Sequence, residues 1–206
     1  SRLAHSLLPA YRGRVQIQIV DKVFDEAVEV ARELDKRHEV DVFVSAGANG
    51  AYLRDAISRP VVQVQITGLD LLRALLKTRK LSRHVALVTF RERNVEFDEV
   101  KQLLDLDVEQ RSYTTIDDAR EQFQDLAARG YKVIIGSSLV VELAERQGLT
   151  GILVYSPHSI DNAFERAIEI CQIARAEEAR TERLNAILRH IDAGVIAVDA
   201  ATADPG

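Results

Sequence analysis

The chain has 206 residues, of which 47% are hydrophobic and 29% charged, with a formal net charge of −5. That balance excludes wholesale disorder, and without a basic surplus it excludes non-specific nucleic-acid binding by this segment. The single cysteine, Cys171, excludes an intrachain disulfide, a thiolate metal cluster and two-cysteine racemase chemistry.

In chain order, short β-branched runs alternate with helical patterns, the signature of a parallel α/β sheet. Ser1 to Leu8 reads as helix and Val15-Gln16-Ile17-Gln18-Ile19-Val20 as a strand. Val23, Phe24, Ala27, Val30, Ala31 and Leu34 fall at helical spacing. Val40 to Ser45 is the next strand, Gly50 to Ile57 a helix, Pro60 to Ile66 a strand and Leu69 to Lys77 a helix. A second series follows: strand His84–Thr89, helix Val95–Leu104, strand Val108–Tyr113, helix Ile116–Ala128, strand Lys132–Gly136, helix Leu139–Gln147, strand Gly151–Tyr155, and a long helix from near Asp161. Cys171, with Ala167, Ile168 and Ala174, falls on an apolar helix face and reads as core.

The two series repeat one another. Val40–Asp70 overlays Tyr131–Asp161 without a gap at an offset of 131 − 40 = 91, so that Val42 meets Val133, Val44 meets Ile135 and Asp70 meets Asp161. This predicts two similar α/β/α lobes with parallel sheets, lobe one over 1–80 and lobe two over 81–160. The counterpart of strand His84–Thr89 would lie near 84 − 91 = −7, so the first strand of lobe one is expected to be missing from the chain. The absence of methionine, even at position 1, agrees with a start that lies elsewhere.

Ligands on open parallel sheets bind beyond the carboxyl ends of the strands. In two facing lobes those ends line one cleft, which makes Ser45, Gly47, Asn49, Gly50, Gln65, Thr67, Thr89, Arg91, Arg93, Tyr113, Thr114, Gly136, Ser137, Ser138, Tyr155 and Ser156 the candidates. Small residues before a helix leave N–H groups free for an anion, and an arginine grips a carboxylate bidentately. Arg91, Glu92 and Arg93 are equally readable as a self-paired solvated loop, and His158 as a structural loop histidine. No nucleophile elbow, phosphate-loop Gly-Lys-Ser or clustered metal site is present, so no catalytic residue, metal or cofactor is expected.

The runs Ser45-Ala46-Gly47-Ala48-Asn49-Gly50-Ala51-Tyr52-Leu53, Gln110-Arg111-Ser112-Tyr113-Thr114-Thr115-Ile116-Asp117-Asp118-Ala119-Arg120 and Thr150-Gly151-Ile152-Leu153-Val154-Tyr155-Ser156 resemble the N-terminal sensory domain of the PrpR family, activators of bacterial propionate catabolism operons. The resemblance spans Ser1 to about Arg175. It implies a chelatase-like duplication of two lobes and a sensor of 2-methylcitrate or a related tricarboxylate. It also implies attachment to an AAA+ ATPase and a helix-turn-helix domain in a sigma-54-dependent, NtrC-class enhancer-binding activator. Of the cleft candidates, the loop Ser45–Gly50 and Tyr113 lie in the matched runs, whereas Arg91, Arg93 and His158 do not. DNA would be reached only through domains absent from this chain.

From Asp161 the last helix outruns the lobe, with 161–175 packing on it and 176–193 a linker or coiled-coil helix. Ile170, Ala174, Glu177, Thr181, Leu184, Leu188 and Ile191 follow a heptad seam that points to a homodimer. Residues 194–206 resemble the truncated start of a PAS-like domain. No run approaches the roughly 20 apolar residues of a membrane helix and the start does not resemble a signal peptide, so a cytoplasmic location is expected. The competing readings are a two-lobed enzyme of the chelatase or uroporphyrinogen synthase type and a solute-binding protein.

Overall fold

The protein is described here by a computed structural model covering residues 2–22, 24–91, 93, 97 and 106–189. The chain forms two compact units, residues 1–170 and 171–206. The elements are α1 (Arg2–Tyr11), α2 (Phe24–Lys36), β1 (Phe43–Ser45), α3 (Ala48–Ala56), β2 (Val61–Gln63), α4 (Gly68–Thr78), β3 (His84–Phe90), β4 (Asp107–Tyr113), α5 (Ile116–Ala128), β5 (Val133–Gly136), α6 (Ser138–Arg146), β6 (Thr150–Leu153) and α7 (Pro157–Arg189). The helix expected at Val95–Leu104 and the PAS-like segment lie outside the described residues.

Every strand pair among the described residues is parallel. One sheet is β1-β2, and the other has the order β4-β3-β5-β6, so β3 and β5 are its central strands. Val133, Ile134 and Ile135 are buried, as a strand covered on both faces requires. One face of this sheet shares a core with Leu71, Leu75, Phe164 and Ile168; the other packs Ala86, Val88 and Ile134 against Phe123, Leu126, Val140 and Leu143. Tyr11 closes the first core edge-to-face on Phe164, its hydroxyl donating to Asp161 Oδ1 at 2.6 Å.

Val15–Val20 is the clearest departure from expectation: it has the alternating burial of a strand but pairs with none. The repeat supplies the reason. In the larger sheet β4 pairs with β3, and β3 with β5. In the smaller one β1 has β2 as its one ladder partner among the described strands, and Phe43–Ser45 are half-buried where their equivalents Ile134–Gly136 are buried. No described strand stands where β3 stands in the other sheet, so Val15–Val20 lacks the ladder that would define it.

The match between the series is also not gapless. The pair Val44–Val62 corresponds to Ile135–Ile152, offsets of 135 − 44 = 91 and 152 − 62 = 90. The caps Thr67–Asp70 and Ser156–Ser159 stand 156 − 67 = 89 apart. Two connections have each lost one residue. Gly47, the N-cap of α3, is therefore the equivalent of Ser137, the N-cap of α6.

In unit 171–206, Ala174 and the rest of 172–188 are exposed and Cys171 is half-buried, not core as the apolar pattern suggested. Of that apolar face, Ala167 and Ile168 are buried in the core, and the burial stops before Cys171.

On the outer side of β4, Glu109 Oε1 accepts from Arg111 and Arg129, each at 2.6 Å, and the same two arginines reach Asp125. Its carboxyl is held down to about 2, chiefly by the hydrogen bond from Arg129, against a desolvation that raises it. A depressed folded-state pKa contributes stability that is present above the ordinary glutamate value and is lost as pH falls through about 2. Thermal unfolding of Glu109→Gln should accordingly show a lower Tm at neutral pH and a shallower Tm loss between about pH 4.5 and pH 2 than the parent chain.

Gly136 is fixed by close approach: an added Cβ would lie 2.8 Å from the Val88 carbonyl oxygen and would collide with the Val140 side chain. Gly136→Ala should destabilise the chain by about 3 kcal/mol, measured by urea unfolding.

Candidate ligand cleft

A cavity of about 210 Å³ opens at the carboxyl ends of the strands, lined by Gly47, Gln63, Val64, Gln65 and Ile66 from the first sheet and by Val88, Thr89, Phe90, Arg93, Gly136, Ser137, Val154 and Tyr155 from the second. That is below the roughly 300–1,000 Å³ of drug-sized sites, and suits a small metabolite. Its walls mix amide, hydroxyl and apolar groups.

The two halves touch at equivalent positions. Gly47 has φ 60 and ψ −141, a conformation that side chains strongly disfavour. A Cβ there would sit 3.1 Å from Ser137 Cβ and 3.7 Å from the Tyr155 hydroxyl. The N-termini of α3 and α6 thus converge on one point. Gly47 offers α3 no side-chain cap, while Ser137 Oγ accepts from Val140 N at 3.5 Å.

Two phenols lie beneath this contact. Tyr113, at the end of β4, is 1% exposed, and its ring packs against Phe90 with centroids 5.4 Å apart. Burial pushes its pKa up to about 12, partly offset by the nearby Ser137 side chain. Burial likewise raises Tyr155 to about 12, with the backbone of Gly47 acting the other way and the Tyr113 phenol adding to the rise. Both are neutral hydrogen-bond donors across the physiological range. Arg91, past the end of β3, takes φ 60; its N–H donates to the Tyr113 carbonyl at 2.8 Å, and its guanidinium lies 5.0 Å from the Phe90 ring centroid.

The expected residues divide. Gly47, Gln65, Thr89, Arg93, Gly136, Ser137 and Tyr155 line the cavity, and Tyr113 lies below it. Ser45, Asn49, Gly50, Thr67, Arg91, Ser138, Ser156 and His158 do not line it. Most of these serve the scaffold. Ser45 accepts from Val64 N at 2.8 Å through its carbonyl. Asn49 Nδ2 donates to the Lys22 carbonyl at 3.2 Å, and Gly50 makes room for Gln63. Thr67 is held in a capping box with Asp70, and Ser156 pairs with Ser159 in the equivalent turn. Ser138 is exposed, and His158 Nε2 stands 3.3 Å from Asn162 Nδ2. Thr114 N donates to Asp118 Oδ2 at 2.8 Å.

Gln63 was not among the expected residues. Its Nε2 donates to the Gly47 carbonyl at 3.4 Å and its Oε1 accepts from Arg54 at 2.9 Å, bracing the loop from below. Strand alternation hid it, because Gln63 reads as a solvent-facing position between Val62 and Val64. Among the described residues no group of three or more His, Cys, Asp or Glu side chains is placed to hold a metal ion, and no helix is long and apolar enough to cross a membrane.

Parallel α/β halves meeting over a polar cleft define a two-lobed α/β domain. Residues 11–177 match the PrpR N-terminal family, described as propionate catabolism activator, and the chain belongs to that family. It is a regulatory sensor domain. The fold matches an NtrC family transcriptional regulator from Clostridium acetobutylicum with a TM-score of 0.75 and 21% identity, covering 84% of this chain and 94% of that one. Looser similarities are to an extracellular ligand-binding receptor from Verminephrobacter eiseniae (TM-score 0.37, 10% identity, 73% of this chain and 56% of that one) and to the substrate-binding protein CD0873 from Clostridium difficile (0.34, 11%, 75% and 68%).

Gly47→Ala combines a disfavoured backbone with a tight contact. It should cost about 2 kcal/mol in chemical unfolding, and Ser137→Gly in the same chain should recover the contact part but not the backbone part.

Proposed function

We propose that the chain senses 2-methylcitrate or a related tricarboxylate in the cleft between lobe one (1–80) and lobe two (81–160), within a bacterial sigma-54-dependent activator. The observation that carries this reading is the meeting of two helix N-termini beside Arg93 in a cavity of small-metabolite size. Free amides, hydroxyls and a guanidinium suit several carboxylates on one small molecule. Membership of the propionate catabolism activator family and the likeness to an NtrC family regulator support the regulatory setting. In that setting the ATPase and DNA-binding work belong to domains outside this chain, and the protein is cytoplasmic.

The signal leaves through the last helix, residues 161–193. Its seam begins at Ile170, which is half-buried against the core, and continues through Ala174, Glu177, Thr181, Leu184 and Leu188, all exposed, with Leu184 at 54% and Leu188 at 52%. Ile191, its last member, lies outside the described residues. A homodimer pairs this seam, and ligand-driven closure of the lobes biases the pair.

Calorimetric titration should give saturable binding of 2-methylcitrate and citrate and none of phosphate. Arg93→Ala should weaken tricarboxylate binding about tenfold or more. Absence of binding by every tricarboxylate overturns the ligand assignment. Analytical ultracentrifugation should show a dimer; a monomer at high concentration, with and without ligand, overturns the signalling route.

A further inference from the structure

One side of the cavity offers an anion nothing. Five of the lining residues carry aliphatic or phenyl side chains, and three of them, Val64, Val88 and Val154, are so buried, at 6%, 1% and 2% exposure, that they give an occupant little surface. Ile66 and Phe90 are half-buried, so the apolar surface within an occupant's reach is chiefly theirs. A carboxylate set against them would lose water and gain no donor.

The position of Ile66 follows from the repeat. Val64 N donates to the Ser45 carbonyl at 2.8 Å and Val154 N to the Gly136 carbonyl at 2.9 Å, which makes the two valines equivalent. Between Val64 and the cap Thr67 stand Gln65 and Ile66, whereas between Val154 and the cap Ser156 stands Tyr155 alone. Lobe one thus lines the cavity with one residue more. Phe90 comes from lobe two, at the end of β3, where its ring is held by Tyr113 at 5.4 Å, by Tyr52 at 5.9 Å and by the Arg91 guanidinium at 5.0 Å from the centroid. Packing on that scale fixes the ring before any ligand arrives.

We infer that Ile66 and Phe90 form the specificity-determining wall of the cleft, selecting a carboxylate ligand that carries a short alkyl substituent over one with the same carboxylates and no substituent. This rests on the cleft being the ligand site. The carboxylates turn to Arg93 and to the amide and hydroxyl groups, and the alkyl group lies on the wall, which draws one side chain from each lobe. A cavity of about 210 Å³ leaves room for a short alkyl group and not a long one. One added methyl on such a surface changes affinity by about tenfold.

The test titrates the 206-residue chain calorimetrically with 2-methylcitrate and with citrate, which differ by one methyl group. Expected for the parent is binding of 2-methylcitrate about tenfold tighter than citrate. Ile66→Thr puts a hydroxyl into the wall and should reduce that ratio to about twofold or less, with citrate affinity within about twofold of the parent, while Ile66→Leu keeps the ratio. Phe90→Leu, which shortens the wall on the other lobe, should lower the ratio as well. Should Ile66→Thr fail to fold, Ile66→Val reads the same quantity, with the ratio expected to fall about threefold. A parent that binds the two compounds equally, or a parental ratio retained in the Ile66 variant or in Phe90→Leu, overturns the inference and leaves the cleft as ligand site intact. A parent that binds neither compound overturns the underlying reading and this inference with it.

Discussion

The contact between Gly47 and Ser137 is the constraint on which the rest of the cleft depends. Two helices, each launched from the carboxyl end of a parallel strand, arrive N-terminus to N-terminus so closely that a Cβ at Gly47 would lie 3.1 Å from Ser137 Cβ. A side chain at 47 would hold them apart, and an L-residue would resist the backbone angles that aim α3 there. Gln63 braces the loop through the Gly47 carbonyl, and Tyr155 fills the space behind it. The geometry therefore concentrates the positive ends of two helix dipoles in one place, with only uncharged side chains at the point of contact.

The larger sheet supplies the rigidity this arrangement needs. Its central strands are dry on both faces, and Gly136 lets α6 pack so closely over β5 that even a methyl group is excluded. The smaller sheet is less well enclosed, since β1 is half-buried and Val15–Val20 runs unpaired. A fully enclosed sheet and a half-buried one thus face each other across the cavity, with the chain between them passing from α4 into β3.

The alternation of apolar runs disclosed the parallel α/β class, and most strand and helix centres fall where hydrophobic period placed them. Ile116–Ala128 is an example in which an N-cap threonine and acidic first turn fix the start and the apolar stripe ends at Ala128. Val15–Val20 shows the limit: period 2 specifies a strand's faces, but the ladder comes from a neighbour that local sequence cannot name. The repeat was legible, yet its ungapped form concealed two one-residue losses, because the apolar positions of parallel strands tolerate a shift that cap chemistry does not. For the cleft, strand-end logic found Gly47, Ser137 and Tyr155. It also swept in Thr67 and Ser156, whose hydroxyls are consumed by their own helix caps. It missed Gln63, whose role arises only when β2 lies beside the Gly47 loop.

The drift of the repeat from 91 to 90 to 89 residues has a geometric outcome of its own. A perfect duplication would enclose a cavity with twofold pseudo-symmetry, and such a cavity presents the same face to a molecule and to its end-over-end rotation. Here one wall carries a bare glycine cap and the other a serine that caps itself, while Arg93 belongs to only one side. The divergence of two once-equivalent loops has given the cavity a head and a tail, so that an asymmetric occupant meets a different chemistry at each end.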